Sequence, residues 1–238
     1  MSCQRQLEWF EMIPVFSWIV LRGKCRTCHA RISVQYPLVE ALTGIAFALL
    51  GASTLPLGAQ LLGCAMAALL IAVAVYDLRN TIIPDTWSYA FAALALISQV
   101  LFSPHSELSI LTLLAGPIVA LPLFALWLFS RGSWMGFGDV KLALGMGWLL
   151  GPLYGIAAVF FAFVVGAVIS VPLLFFSSQR WHRIYERITP TGTSRKFALG
   201  FTIKSEIPFG PFLVASTCIV WLLLIYSVDP LALVGLSL

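Results

Sequence analysis

The sequence predicts an all-α polytopic membrane protein, a bundle of about seven transmembrane helices behind a short cytoplasmic N-terminal region. Three observations carry this. Of the 238 residues, 60% are hydrophobic and 10% charged, with a mean hydropathy of +0.96, whereas a soluble domain is typically ~25% charged. Uncharged stretches repeatedly reach the ~20 residues that cross a bilayer as a helix. Finally, all 14 Lys and Arg fall on one side of the resulting topology.

In chain order, residues 1–37 form the N-terminal region and residues 38–238 the membrane core. Ala41–Tyr76 is uncharged and breaks at STLPLG, giving two spans. Thr86–Ser106 makes the third and Leu108–Ser130 the fourth. Leu142–Gln179 is long enough for two spans, and GPLYG (Gly151–Gly155) suits the turn between them, because Gly and Pro interrupt helices. Ile207–Val228 makes the last.

With the N-terminus inside, the positive-inside rule is obeyed throughout. Arg5, Arg22, Lys24, Arg26 and Arg31 precede the first span, Arg79 follows the second, and Arg131 and Lys141 flank the fourth-to-fifth turn. The remaining basic residues, Arg180 to Lys204, fall between the sixth and seventh spans. The net charge of +4 therefore reads as membrane orientation and not as a nucleic-acid footprint. The bilayer is the partner this implies; no residue pattern sets an oligomeric state.

Of the ten acidic residues, Glu8, Glu11, Glu186 and Glu206 fall in cytoplasmic segments, Glu107 and Asp229 at outer span ends, and Glu40 at the start of the first span. Asp77, Asp85 and Asp139 stand at cytoplasmic helix ends. Asp85 follows Pro84 where the third span begins, a favoured N-cap position, so capping and a site role are both open to it. Asp77 ends its span, where the macrodipole opposes a carboxylate. An ionisable group so placed is read as functional by default, against the alternative of a loop-exposed Asp. Asp139 follows Gly136 and Gly138, which allow unusual backbone conformations and close approach of another chain; it too suits a cap. Asp77 and Asp139 lie 62 residues apart in sequence but on one face, so they can meet in a bundle. Two carboxylates that meet share one proton, because both cannot ionise cheaply.

Taken together, YDLRNTIIPD (Tyr76–Asp85), MGFGDVKLALGMG (Met135–Gly147) and IPFGPFL (Ile207–Leu213) resemble the type IV prepilin peptidases of bacteria, polytopic aspartic proteases of the GxGD class. Leu7–Gly44 resembles the cytoplasmic region ahead of that family's core, so the resemblance spans nearly the whole chain. It implies that Asp77 and Asp139 are the catalytic pair and Asp85 the second Asp of a D…PD motif. Gly136, Gly138, Lys141, Pro208, Gly210 and Pro211 would support the site. For Lys141, a role beside the dyad and one as a membrane anchor both stand; for Pro208–Pro211, site shaping and helix termination both stand. The resemblance further implies cleavage of the basic leader of prepilins and type II secretion pseudopilins, after a Gly, on the cytoplasmic side of the inner membrane. The peptidase step uses no cofactor. Long members then methylate the new N-terminus with S-adenosylmethionine.

The N-terminal region departs from the family pattern. Cys25 and Cys28 form C-x-x-C, and two such pairs make a closed tetrahedral zinc site in the long form. Here Cys3 stands in place of the second Cys of the first pair, whose partner would precede Met1. Zinc on Cys3, Cys25 and Cys28 with a fourth ligand, and a set of reduced cytoplasmic thiols, both match this pattern. Met12 stands where the family usually has Asn, which leaves methyl transfer open while the peptidase motifs are intact. Cys64 and Cys218 read as packing residues. Two readings of other classes are a proton-coupled transporter, whose carboxylates would be expected mid-span, and a non-catalytic scaffold for pilus assembly.

Overall fold

The computed structural model describes residues 6–102, 110–176 and 208–232. Cys3, Arg5, Glu107, Glu186, Glu206 and the basic stretch Arg180–Lys204 lie outside the described residues. Among the described residues the chain is helical: a 3-10 turn (Trp9–Met12), then α1 (Phe16–Val20), α2 (Gln35–Gly51), α3 (Leu57–Asn80), α4 (Asp85–Phe102), α5 (Ile110–Ser130), α6 (Phe137–Phe176) and α7 (Gly210–Ile225). The one extended pairing described is an isolated bridge, Lys24 to Arg31. By length and apolarity, α3, α5 and the Phe137–Pro172 part of α6 can cross a membrane; α2 and α7 are shorter apolar helices.

Helix α2 begins at Gln35, ahead of the expected start at Ala41. Glu40 therefore sits inside the helix, and its Oε2 accepts the Val15 N–H at 2.7 Å instead of facing the helix N-terminus. That bond ties the N-terminal region to the membrane core.

A 40-residue helix would be ~60 Å long, about twice the ~30 Å hydrocarbon core, and α6 does not run straight. Gly151 (φ 78°, ψ 173°) breaks the helical backbone ahead of Pro152, in a region only glycine enters readily. Past it the chain folds back. A Cβ on Gly155 would stand 3.4 Å from the Gly147 Cα, whereas residues eight apart in a continuous helix are ~12 Å apart. Further along, the Phe163 ring lies 4.7 Å from that of Phe209, so the returning arm reaches the depth at which α7 begins. The turn expected at Gly151–Gly155 is thus present, made by a single glycine with helix on both sides.

Small residues let the backbones close. Cβ atoms on Gly147 and Gly116 would meet the Gly116 Cα at 2.7 Å and the Trp148 indole at 2.7 Å respectively, the contact by which α5 lies against α6. Membrane helices associate through such close approaches because lipid offers no hydrophobic drive between them. Leu70, Val73, Phe91, Leu123, Leu142, Met146 and Leu213 fill the interior, fully buried, while Leu61, Leu121, Phe129 and Val168 face outward. Helix α6 is the hub, packing on α4, α5 and α7, and α3 packs on α2, α4 and α7. Cys64 and Cys218 sit against this core as expected.

Replacing Gly151 by Ala forces a side chain into that backbone region and should cost ~1–3 kcal/mol of stability. Gly44→Ala, in α2 with no atom within 4 Å of the new Cβ, should leave stability unchanged or slightly raised. Denaturant unfolding of the two variants in detergent micelles reads the difference.

Candidate active site

Asp77 stands one turn from the end of α3, which closes when the Thr81 N–H bonds the Asp77 carbonyl at 2.7 Å and Thr81 turns left-handed (φ 54°). Asp139 is in the first turn of α6. Both are buried, at 4% and 6% exposure, and close enough for their charges to interact. They line one cavity of about 430 Å³ at the end of the bundle.

Most residues named from sequence gather there. Asp85, Gly136, Gly138, Lys141 and Pro208 line the same cavity as the two buried carboxylates. Gly210 donates its backbone N–H to Asp77 Oδ2 at 3.0 Å, a buried bond between α7 and α3. Pro211 fills an early position of α7, suited to a residue without an N–H, and is not among the lining residues.

The glycines divide by function. Neither Gly136 nor Gly138 has a positive φ, so neither supplies an unusual backbone conformation. A Cβ on Gly138 would stand 2.8 Å from the Ile83 Cβ, and one on Gly210 would stand 2.6 Å from Asp77 Oδ2. These two are glycine because something else occupies the space. A Cβ on Gly136 would meet nothing nearer than 3.9 Å.

Asp85 is the first residue of α4. The Trp87 and Ser88 N–H groups bond the Pro84 carbonyl, and the Asp85 side chain turns instead to Lys141 Nζ at 2.6 Å. The Lys141 side chain is 13% exposed and that of Asp85 63%. The ammonium also lies 5.0 Å from the Phe137 ring and 5.5 Å from that of Tyr89. Lys141 is thus neither a free anchor at the membrane surface nor paired with the buried carboxylates. With one partner in solvent, the ion pair is worth roughly 0.2–1 kcal/mol, so its effect is to register α4 on α6. Thr81, Ile82, Ile83, Trp134 and Phe209, none of them among the site residues expected from sequence, also line the cavity. Two isoleucines inside an otherwise polar turn were the available signal.

The N-terminal region joins the core beside this site. Arg79, two residues after Asp77, bonds Gln35 Oε1 through Nε at 2.9 Å and Nη2 at 2.6 Å, and lies 5.9 Å from the Tyr36 ring. Cys25 and Cys28 belong to a turn closed by the Cys25 N–H to the Ala30 carbonyl (2.9 Å) and the His29 N–H to the Cys25 carbonyl (3.0 Å). Among the described residues no group of three or more His, Cys, Asp and Glu is arranged to hold a metal; two thiols on a turn supply half of a closed zinc set. A second cavity of about 210 Å³ lies between Glu11, Trp18, Cys25, Tyr36 and Glu40. Pockets that enclose a drug-sized ligand run ~300–1,000 Å³, so the described residues do not form a pocket of nucleoside-cofactor size here.

Gly138→Ala and Gly210→Ala should each lower stability by ~1–3 kcal/mol through overpacking, and Gly136→Ala by less than ~0.5 kcal/mol. Denaturant unfolding in micelles measures the three against the parent chain.

Residues 1–54 match the family described as the Bacterial Peptidase A24 N-terminal domain, and residues 64–171 match the Type IV leader peptidase family. A "Type 4 prepilin-like proteins leader peptide-processing enzyme" of Escherichia coli O78:H11 is 31% identical over 216 residues, covering 89% of this chain and 70% of that protein. A "Prepilin leader peptidase/N-methyltransferase" of Xanthomonas campestris pv. campestris is 31% identical over 226 residues, covering 91% and 68%. One of that same description from Pectobacterium carotovorum is 32% identical over 153 residues, covering 63% and 54%. No solved structure gives a significant match. With both parts of the sequence matched and such relatives aligned over most of their length, this chain belongs to the type IV leader peptidase family.

Proposed function

We propose that the chain is an aspartic prepilin peptidase that removes the basic leader of prepilins and pseudopilins at the cytoplasmic face of a bacterial inner membrane. The observation that carries this is the pair of buried carboxylates, Asp77 from α3 and Asp139 from α6, on one cavity. The names of the relatives support the substrate class. Seven crossings are the reading we favour: α2, α3, α4, α5, the two arms of α6, and α7. The described basic residues fall in segments at the cavity end, Arg22 to Arg31 ahead of α2, Arg79 after Asp77, and Arg131 and Lys141 beside the cavity, which supports a cytoplasmic site.

The chemistry follows from a shared proton. One carboxylate, ionised, takes a proton from a water as its oxygen bonds to the scissile glycine carbonyl carbon. The other, protonated, gives its proton to the carbonyl oxygen, producing a neutral tetrahedral diol. On collapse the C–N bond breaks. The leaving nitrogen takes the proton held by the first carboxylate, and the second recovers its own from the diol. The pair ends as it began. The Gly210 N–H occupies Asp77 Oδ2, which leaves Oδ1 for the water or the peptide. The catalytic groups are side chains of this chain alone. The relatives' names include N-methyltransferase, and methylation with S-adenosylmethionine would fall to the N-terminal region.

Coexpression with a prepilin and mass measurement of the processed N-terminus test this. The expected product lacks its leader, and Asp77→Asn or Asp139→Asn lowers cleavage by about 100- to 10,000-fold or more. An added methyl group on the product reports methyl transfer. An intact precursor in the presence of well-expressed parent chain overturns the peptidase reading and favours a transporter or scaffold.

A further inference from the structure

One buried side chain touches the backbone beside both carboxylates and is assigned nothing by the catalytic scheme. Ile83 is 8% exposed. On one side it fills the space at Gly138, whose added Cβ would stand 2.8 Å from the Ile83 Cβ; on the other it reaches Gly210, whose added Cβ would stand 3.1 Å from Ile83 Cδ1. Gly138 immediately precedes Asp139, and Gly210 holds Asp77 through its N–H. Local sequence fixes how Ile83 is presented. Thr81 turns the chain left-handed, and Pro84 restricts the residue before it to extended backbone. The far end of the turn is held by the Asp85–Lys141 pair. The turn is therefore fastened to α6 twice, by Ile83 at Gly138 and by Asp85 at Lys141.

We propose that Ile83 is a positioning residue, a wedge between the starts of α6 and α7 that sets the separation of Asp77 and Asp139, kept in place by the Asp85–Lys141 pair. This rests on reading the two aspartates as the catalytic pair. Shortening the wedge lets the α6 and α7 backbones close on each other, and a displacement of ~1 Å at reacting groups costs about 100-fold in rate. Substrate binding along the rest of the cavity is untouched, so the loss falls on kcat and not on KM.

The test uses the full chain in detergent micelles with a purified prepilin. Ile83→Ala should lower kcat by about 100-fold with KM within about twofold, and Ile83→Val should fall between Ile83→Ala and the parent. The kcat–pH profile adds a readout that loss of fold does not produce. Carboxylates that share a proton titrate far apart, and drawing them closer drives the two steps further apart, so the bell should broaden in Ile83→Ala. The other titratable groups lining the cavity, Asp85 and Lys141, are paired with each other. Asp85→Lys and Lys141→Asp should each lower kcat, and the double swap should recover part of it.

Spin labels at positions 78 and 134, on exposed Leu78 and Trp134, in a background free of the native cysteines, read the geometry without activity. Ile83→Ala should shift or broaden their distance distribution. A normal bell with an unchanged distribution overturns the wedge, as does a defect confined to KM. If the parent chain itself fails to cleave, the peptidase reading falls, and the spin-label comparison alone decides whether Ile83 spaces the segments that carry Asp77 and Asp139.

Discussion

The hydrogen bond from the Gly210 N–H to Asp77 Oδ2 is the constraint around which the site end of the bundle is built. It joins residues 133 positions apart, at the end of an apolar bundle. To reach that oxygen, the start of α7 must lie against the end of α3, and only a residue without a Cβ comes so close. Once α7 is there, Phe209 meets the returning arm of α6, and Leu213 joins the core. A buried unpaired carboxylate oxygen would be costly, so the bond offsets part of the desolvation penalty of placing Asp77 there.

The apolar bundle supplies what this site needs and cannot supply itself, a rigid frame. Among the described residues, the polar side-chain contacts that join separate elements near the cavity include the Gly210 bond, the Asp85–Lys141 pair and the Arg79–Gln35 pair. Glycines on α5 and α6 bring backbones together elsewhere, so that α6, which carries Asp139, is gripped by three neighbouring helices. Carboxylates set on helices so held keep their geometry without a dense hydrogen-bond network.

Much of this was legible in the sequence. Charge-free stretches gave the helices, the break at STLPLG gave the α2–α3 turn, and Gly151 gave the reversal in α6. Asp77 stood out because a carboxylate is misplaced at a helix C-terminus, and the other expected cavity residues lay in the motifs that carried the family resemblance. What stayed hidden depends on three-dimensional contact. The 5-residue α1, the early start of α2 and the bond from Val15 to Glu40 have no periodic signature. Asp85 is open in the sequence to a cap or a site role, and its ion pair is visible only once Lys141 is seen facing it. Ile83 looks like any turn residue, since nothing in its local sequence says that two glycines from distant segments close around it. The roles of Gly136 and Gly138 were likewise inseparable before the space around each was known.

The reversal at Gly151 has a consequence for how the protein is made. Its two arms are adjacent in sequence, so they can pair as soon as both leave the ribosome, without waiting for α7. A hairpin that enters the bilayer as a unit returns its second end to the side from which it started. On the proposed topology, Asp139 at one end and Phe163 to Gly166 near the other would reach the same surface together. Gly210, which follows in sequence, would then have to be brought to Asp77 on the surface that already carries Asp139.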